Sequence, residues 1–390
     1  MQWEQPPNRV TQAMEARAAR GLPTIDLTET NPTRVGLPYP EEELAELMRR
    51  AAGTAYDPHP RGILAAREAL AAELSWVGDS VSPDDLVLTT STSESYSHLF
   101  KLFADPGDEV LTTAPSYPLL DSLTALDGLG LRPVALAPER RFAIEPADVA
   151  AISAAVAPYT RLLAVVHPSN PAGTFLSAEA QTALSALCAT RRIPLVSDEV
   201  FSGYPLADPP SGTRRAGPAA AAGDAMTFSL GGLSKGAGLP SWKLGWIRAG
   251  GPPGVRRRMI DALELVTDSY LSVASPVQRA LPGILALAPR IRAAILDRLR
   301  INLAALRTAL AGLDGVTLYQ PEGGWSAVFS VSGRATDEDL VLALLEQTGV
   351  RVHPGYFFDF ATEDFLVVSL LPEPAAFAAG IRSLAGFLGG

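Results

Sequence analysis

Short apolar runs alternate with amphipathic stretches between about residue 60 and residue 260. The clearest run, residues 162–166, is apolar at every position rather than at every second one. This pattern is typical of a strand covered on both faces, as in a parallel sheet flanked by helices. Strands are predicted at residues 86–89, 109–113, 161–167, 193–197, 225–230 and 244–249, with helices between most of them, for example at 94–103 and 178–190.

The two ends of the chain have different patterns. Residues 1–45 are expected to be irregular, because prolines cluster at 6–7 and 38–40. A long amphipathic helix is predicted at 285–313, followed by strands at 316–319, 325–331, 350–353 and 365–371 and by helices near 337–347 and 375–387. We therefore expect an α/β fold with a mostly parallel central sheet in a large domain (46–280) and a smaller α+β domain (281–390 with 1–45).

Composition narrows the classes of function. The 390 residues carry a net charge of −10 without a long basic run, which argues against a nucleic-acid partner. No apolar stretch reaches the roughly 20 residues of a membrane span, and the first ten residues do not resemble a secretory signal. A single cysteine, Cys188, excludes an internal disulfide and favours a reducing cytoplasm. One cysteine and four scattered histidines argue against a zinc site, so no metal is expected.

Polar residues at strand ends are candidates for chemistry, because ligands of open parallel sheets bind beyond the carboxyl ends of the strands. The turn at 89–94 is rich in hydroxyls and opens a helix, so it could hold an anion or serve only as a helix cap. The turn at 167–173 presents Asn170, or is a plain turn. Asp198 and Glu199 close an apolar strand, where burial requires a cation. Alternatively, they form an exposed strand end or bind a metal.

A glycine-rich loop at 231–240 contains Lys235, one of only three lysines in the chain. A desolvated lysine beside another cation, such as Lys243, has a lowered pKa and becomes nucleophilic. The alternative is an ordinary solvated lysine. An anion turn, an amide, an acid and an amine together match what pyridoxal 5'-phosphate (PLP) requires: a phosphate site, a donor to its phenolic oxygen, a carboxylate for its ring nitrogen and an amine for its aldehyde.

Five motifs in register resemble the class I/II aminotransferases of fold type I, and the local likeness is greatest to the tyrosine aminotransferase branch. They are the lysine segment from 232 to 245, Asn-Pro-Ala-Gly at 170–173, Asp-Glu-Val at 198–200, Pro-Gly-Asp-Glu-Val at 106–110 and Pro-Ser-Tyr-Pro at 115–118. The resemblance implies PLP as a Schiff base on Lys235, with Asp198 at the pyridine nitrogen and Asn170 at the phenolic oxygen. It implies further cofactor contacts from Ser91, Thr92, Ser93, Tyr117, Phe201, Ser234 and Lys243. Tyr56 would reach the phosphate of a neighbouring subunit, which implies a homodimer with shared active sites.

Three departures from the family pattern affect these roles. Lys243 stands where the family has a phosphate-binding arginine, and Phe201 replaces a tyrosine. Leu366 stands where the family has an arginine for the substrate carboxylate. Substitutes for that arginine are sought in Asn31, Arg34, Arg61 and His353, although each of these more often has a surface or packing role. Trp325 is expected in the core.

Transamination between an amino acid or related amine and a 2-oxo acid is the leading hypothesis. A PLP-dependent lyase, decarboxylase or oxidase on the same fold is the alternative, because the carboxylate-binding arginine is missing. A PLP-binding sensor without catalysis is less favoured, since Lys235, Asp198 and Asn170 are all present.

Overall fold

The computed structural model describes residues 6–53, 56, 58–75, 79–209, 213–221 and 223–390. Its strands are β1 (Ile25–Asp26), β2 (Leu86–Thr89), β3 (Glu109–Ala114), β4 (Gly130–Ala135), β5 (Thr160–Val166), β6 (Leu195–Asp198), β7 (Thr227–Gly232), β8 (Gly245–Gly250), β9 (Val316–Tyr319), β10 (Ser326–Val331), β11 (Val350–Arg351), β12 (His353–Pro354) and β13 (Phe365–Ser369). Its helices are α1 (Arg9–Ala19), α2 (Glu41–Ala51), α3 (Leu64–Leu74), α4 (Thr92–Phe103), α5 (Leu119–Leu126), α6 (Asp148–Ala155), α7 (Ala178–Arg191), α8 (Leu233–Gly236), α9 (Pro253–Tyr270), α10 (Ser275–Leu310), α11 (Asp337–Thr348) and α12 (Pro374–Gly389).

Seven strands form the main sheet in the order β2-β8-β7-β6-β5-β3-β4. β7, β6, β5, β3 and β4 pair in parallel, whereas β8 is antiparallel to both of its neighbours. β5 and β6 are buried along nearly their whole length, as their uninterrupted apolar runs predicted. The expected α/β fold with a mostly parallel sheet is therefore confirmed.

The reversal of β8 matters for the site. The carboxyl ends of β2, β3, β5, β6 and β7 lie along one edge of the sheet, and β8 brings its amino end to the same edge. The segments that follow β2, β3, β5, β6 and β7 therefore converge with the segment that precedes β8.

A second, antiparallel sheet has the order β12-β13-β10-β9, and β1 pairs in parallel with β11. The 36-residue helix α10 packs against α2, α3 and α12. It begins ten residues before the predicted start and runs through Pro282 and Pro289. The boundary proposed near residue 280 falls within this helix, and the division into two domains stays a proposal.

Two elements differ from the sequence-based expectations. Residues 1–45 are not irregular, because α1 lies within them and α2 begins at Glu41. The Asn8 side chain caps α1 by accepting a hydrogen bond from the Thr11 N–H at 2.8 Å, but Val10 is the only buried residue of α1, so its periodicity is weak. Strand β4 was not predicted because it contains Pro133 and is largely exposed, as an edge strand can be.

No helix in the described part of the chain combines the length and the apolar character needed to cross a membrane.

Candidate active site

A cavity of about 450 Å³ lies at the edge of the main sheet where the strand ends converge. This volume is within the range of small-molecule sites. Among its lining residues are ten predicted from the sequence as catalytic or cofactor-binding, namely Ser91, Thr92, Ser93, Tyr117, Asn170, Asp198, Phe201, Ser234, Lys235 and Lys243. The structure therefore brings together residues that are spread over about 150 positions of the sequence.

Lys235 lies in α8, directly after β7, and its amine is held in an apolar environment. Nζ lies 4.8 Å from the centre of the Trp325 ring and 5.8 Å from that of Phe201. Burial lowers the pKa of this amine to about 8, although Asp198 and Glu29 oppose the shift. Among the described residues, Nζ forms no hydrogen bond or ion pair, so a buried amine without a polar partner faces the cavity.

The acidic pair predicted at the end of β6 separates in the structure. Asp198 lines the cavity and is 3% exposed, and burial raises the pKa of its carboxyl to about 6. Its Oδ1 accepts a hydrogen bond from the Val200 N–H at 3.2 Å. Glu199 does not line the cavity, because it accepts hydrogen bonds from the Ala219 N–H and the Ser229 hydroxyl, both at 2.8 Å. Only one acid of the pair is thus available to a ligand.

The hydroxyl-rich turn after β2 is both a helix cap and a cavity wall. Ser91 Oγ accepts a hydrogen bond from the Glu94 N–H at 3.2 Å, and the Glu94 carboxylate accepts one from the Thr90 N–H at 2.5 Å. Ser91, Thr92 and Ser93 also line the cavity at the amino end of α4, where the helix dipole favours an anion. The cap and the anion site considered from the sequence are therefore compatible.

Close packing of β8 fixes the position of this turn. A Cβ atom on Gly245 would lie 3.0 Å from the carbonyl carbon of Ser91 and 3.0 Å from Thr89 Oγ1. A side chain here would push the turn away by a few tenths of an ångström, so the glycine favours the close approach of β8. Lys243, two residues earlier, has φ 47° and brings its side chain to the same cavity.

The turn that carries Asn170 is anchored by Gly173. Gly173 has φ +73°, and a Cβ atom there would lie 2.4 Å from the Gly323 carbonyl oxygen. The N–H groups of Glu322 and Gly323 both donate to the Gly173 carbonyl, at 3.0 and 2.9 Å. The Asn170 turn is therefore joined to the loop that leads into Trp325.

Aromatic rings form much of the cavity wall. Tyr117 follows β3, and burial raises the pKa of its phenol to about 12, so it keeps its proton near neutrality. Trp325 is 2% exposed and packs edge-on against Phe201 and Tyr204, with ring centres 5.4 and 5.2 Å apart. It is thus a core residue, as expected, and also a cavity-lining one. Its indole N–H is buried without a hydrogen-bond partner among the described residues.

Several candidates lie elsewhere. Tyr56 is 66% exposed and does not line the cavity of its own chain. Asn31 Oδ1 accepts hydrogen bonds from the N–H and hydroxyl of Thr33, and Arg34 is exposed. Arg61 pairs with Glu264 at 3.0 Å. None of these side chains faces the cavity, whereas His353, the remaining candidate, does.

Leu366, which stands where the family pattern has an arginine, packs into the apolar core and does not line the cavity, whereas its neighbour Val367 does. Successive residues of a strand point to opposite faces, so the cavity-facing positions of β13 are 367 and 369. That Leu366 replaces the arginine stays a prediction.

Residues of the second sheet were missing from the predicted site. Ser326, Val367 and Ser369 line the cavity, as does Phe358. The alternation of β10 and β13 could have indicated which residues share a face, but not that this face meets the edge of the main sheet. No arginine is among the described residues that line the cavity.

Residues 29–374 match the family model for aminotransferase class I and II. An alanine aminotransferase of Mycobacterium tuberculosis is 26% identical over 381 residues, which cover 95% of this chain and 86% of the relative. The S-alkyl-thiohydroximate lyase of Arabidopsis thaliana is 29% identical over 248 residues, which cover 63% of this chain and 52% of the lyase. The structure of an alanine aminotransferase from Pyrococcus furiosus is similar in fold, with a TM-score of 0.87 at 20% identity, covering 97% of this chain and 95% of that chain.

Proposed function

This chain belongs to the class I and II aminotransferase family, as its motifs predicted, and from that premise we propose that it binds PLP on Lys235 and transfers an amino group from an amino compound to a 2-oxo acid. The observation that carries the proposal is the buried Lys235 amine at the strand edge that also presents Asp198 and the hydroxyl turn.

The donor set of the cavity fits PLP. Lys235 is a buried amine without a polar partner among the described residues, which suits an aldehyde. The carboxyl of Asp198 accepts a backbone hydrogen bond but has no cation bonded to it among those residues, which suits a protonated ring nitrogen. Ser91, Thr92 and Ser93 offer hydroxyls at a helix amino end for the phosphate. When bound, PLP supplies an electron sink that stabilises negative charge at the α-carbon of the amino donor.

Lys235 has the properties of a general base for that α-proton. With its pKa lowered to about 8, about a tenth of the Nζ amine is unprotonated at pH 7, far more than for an ordinary lysine, and can accept a proton. The rings of Trp325 and Phe201 exclude water around Nζ, which keeps the pKa low. The same amine can later return the proton, so one group serves both directions of transfer.

Asp198 and Asn170 are proposed to orient the cofactor. A carboxylate that is 3% exposed is costly by itself, and a cationic ring nitrogen would offset that cost. We assign the phenolic oxygen to Asn170 and the phosphate to the hydroxyl turn, Ser234 and Lys243. Tyr117 would stack on the ring face.

We further propose a cytoplasmic homodimer in which Tyr56 reaches the phosphate of the partner subunit. Its 66% exposed side chain does not line the cavity of its own chain, which leaves it available to a second copy. The single cysteine, Cys188, is buried and fits a reducing compartment.

A β-lyase-type reaction on the same cofactor is the second candidate. The cavity lacks an arginine among the described residues that line it, and one relative carries the name of a lyase. Release of ammonia, or of another leaving group, without a 2-oxo acid acceptor would favour this reaction over transamination.

The decisive experiment is borohydride reduction of the PLP-loaded enzyme followed by peptide mapping. Only three lysines can carry the label. We expect a pyridoxyl group on Lys235 and none on Lys101, with the label and the visible absorbance lost in Lys235→Ala but kept in Lys101→Ala. Amino donors should then bleach the visible band and 2-oxo acids restore it. A label at another lysine would refute the assignment.

A further inference from the structure

The cavity wall contributed by the second sheet carries no permanent charge among the described residues. Its members come from β10, β12 and β13, from the residue before β10 and from the turn Gly355–Phe358: they are Trp325, Ser326, His353, Phe358, Val367 and Ser369. Trp325, Phe358 and Val367 are uncharged apolar or aromatic residues, and two further members are serines. Only His353 can ionise.

His353 does not supply a cation at neutral pH. Burial lowers the pKa of its imidazole to about 4; the neighbouring Arg351 adds to this effect, and Asp26 opposes it. The imidazole packs against two aromatic rings: its centre lies 5.6 Å from that of Phe357 and 5.7 Å from that of Phe358. It is therefore a neutral donor or acceptor.

Val367 lies at the centre of this wall. The strand register pairs it with His353 on β12 and with Val328 on β10. Cross-strand partners are immediate neighbours on one face of a sheet. A carboxylate in this region would therefore meet valine and neutral imidazole.

Lys235 Nζ lies 4.8 Å from the Trp325 ring, but under the proposed function this amine is taken up by the cofactor aldehyde. The arginines and Lys243 are already engaged or lie outside the wall. Arg351 pairs with Asp26 at 3.1 Å, and Arg61 pairs with Glu264. Arg34 is exposed and does not line the cavity. Lys243 approaches from β8, on the side of the hydroxyl turn, where a phosphate would neutralise it.

One polar group on this wall lacks a partner. The Trp325 indole N–H is buried and unpaired among the described residues, and an unsatisfied buried donor costs free energy. By contrast, the Ser369 hydroxyl donates to the Glu29 carbonyl at 2.6 Å and accepts from the Leu371 N–H at 3.2 Å. Neither the indole N–H nor the Ser369 hydroxyl carries a charge that could meet a ligand carboxylate.

We propose that the amino donor is a primary amine without an α-carboxylate, an inference that rests on the proposed function. In its place the donor presents an apolar or neutral hydrogen-bonding group to Val367, His353 and Trp325. A carboxylate buried here without a cation would pay its full desolvation cost. In the exchange, the α-carbon of the amine is oxidised to an aldehyde or ketone, and the carbonyl carbon of the 2-oxo acid is reduced to the amino-bearing carbon. The 2-oxo acid brings a carboxylate and is therefore the weakly bound partner.

Binding of unreactive ligands tests this proposal without turnover. Calorimetry on the PLP-loaded full chain would compare 3-phenylpropanamide with 3-phenylpropanoate, which share a carbon skeleton. We expect the amide to bind at least about tenfold more tightly to the wild type, a difference of about 1.4 kcal/mol. Val367→Arg should reverse that order, whereas the uncharged control Val367→Met should keep it.

The wild-type comparison decides the question even if Val367→Arg fails to fold. Carboxylate binding as tight as amide binding, or no measurable binding of the amide, overturns the proposal. Loss of carboxylate binding in Arg34→Gln would also overturn it, because that result would identify Arg34 as a carboxylate clamp.

Single-turnover spectroscopy separates the substrate class from the proposed function. We expect 2-phenylethylamine and L-phenylalaninol to bleach the visible band at lower concentration than L-phenylalanine. If L-phenylalanine is preferred, the substrate class is wrong and transamination stands. If no amine bleaches the band of enzyme that borohydride labels at Lys235, transamination fails, and the substrate class fails with it.

Discussion

Burial acts against both ionised groups at the centre of the cavity. It raises the pKa of the Asp198 carboxyl to about 6 and lowers the pKa of the Lys235 amine to about 8. Each group is therefore less stable in its charged form than it would be in water. A ligand that is cationic beside Asp198 and removes the charge of Lys235 relieves both costs, so cofactor binding should stabilise the protein.

Asp198→Asn should stabilise the cofactor-free protein but impair catalysis by the loaded enzyme. The folded pKa of this carboxyl lies above its ordinary value of 3.8, so its charge destabilises the fold increasingly as pH rises from about 4 to 6. Asparagine removes this penalty, which is up to about 3 kcal/mol above pH 6. We expect the cofactor-free variant to be more stable than the wild type at pH 7.5 and equally stable at pH 3.5.

In the loaded enzyme the same change should reduce kcat/KM at least about 100-fold, as expected for removal of an oriented charge from an active site. Urea unfolding at the two pH values and steady-state kinetics would measure these effects. A cofactor-free variant that is less stable than the wild type at pH 7.5 would contradict the prediction.

Phe201→Tyr should restore a hydroxyl donor beside the cofactor. Phe201 lines the cavity and packs against Trp325, and tyrosine keeps the same ring while adding a hydroxyl. A hydrogen bond to a charged oxygen is worth about 1.5–3 kcal/mol, which corresponds to about one to two pKa units. We expect the pH midpoint of the visible absorbance to fall by about that amount, and to stay unchanged or rise in Phe201→Leu.

At the scale of the elements, the site depends on how closely β8 packs against the turn after β2. Gly245 permits this contact because no side chain separates its backbone from Ser91 and Thr89. The contact positions the hydroxyls proposed for the phosphate. Mispositioning of these hydroxyls should therefore weaken cofactor binding while the sheet itself persists.

Gly245→Ala should raise the Kd for PLP at least about tenfold, because each lost hydrogen bond to a charged group costs about 1.5–3 kcal/mol. The control is Gly386→Ala in α12, where a Cβ atom meets nothing within 4 Å. That change should leave the Kd unaltered and stabilise the helix by up to about 1 kcal/mol. Fluorescence titration of the cofactor-free proteins measures both constants. An unchanged Kd in Gly245→Ala would refute the packing explanation.

The sequence predicted individual elements better than their mutual placement. Uninterrupted apolar runs predicted β5 and β6, because burial on both faces needs no alternation. The edge strand β4 and helix α1 were missed, since Pro133 and a single buried residue, Val10, weaken their patterns. That Val367 rather than Leu366 faces the cavity also required the structure. Which residues of β13 face the cavity depends on the register of this strand with β10 and β12.

On the scale of the whole molecule, the cavity lies between two sheets that are far apart in the sequence. The main sheet contributes the residues that the motifs predicted, and the second sheet contributes Trp325, Val367 and Ser369. Family motifs predicted the first set, whose residues are proposed to hold the cofactor. The second set faces the substrate under the present proposal and lies outside the five motifs, so the motifs did not predict it.

A subunit-mixing experiment tests the proposed dimer. Lys235→Ala and Tyr56→Ala subunits should each be nearly inactive alone. If Tyr56 serves the partner's site, a hybrid dimer contains one site with both residues intact, and an equal mixture should recover about a quarter of the wild-type activity. A mixture of Lys235→Ala with Lys101→Ala subunits, in place of Tyr56→Ala subunits, controls for dilution of active subunits by inactive ones. No recovery after verified subunit exchange would place Tyr56 in its own subunit's site, whereas full activity of Tyr56→Ala alone would place it outside both sites.

If PLP binds as proposed, the reversed direction of β8 would give it two attachments on one short span of chain. Lys235 follows β7 and Lys243 precedes β8, so the proposed covalent anchor and one proposed phosphate anchor are only eight residues apart. Any disturbance that separates β7 from β8 would shift both anchors at once. On mild heating the cofactor should therefore be released in one step, when these two strands separate. A stepwise release, in which the phosphate contacts are lost first and the bond to Lys235 is hydrolysed later, is not expected.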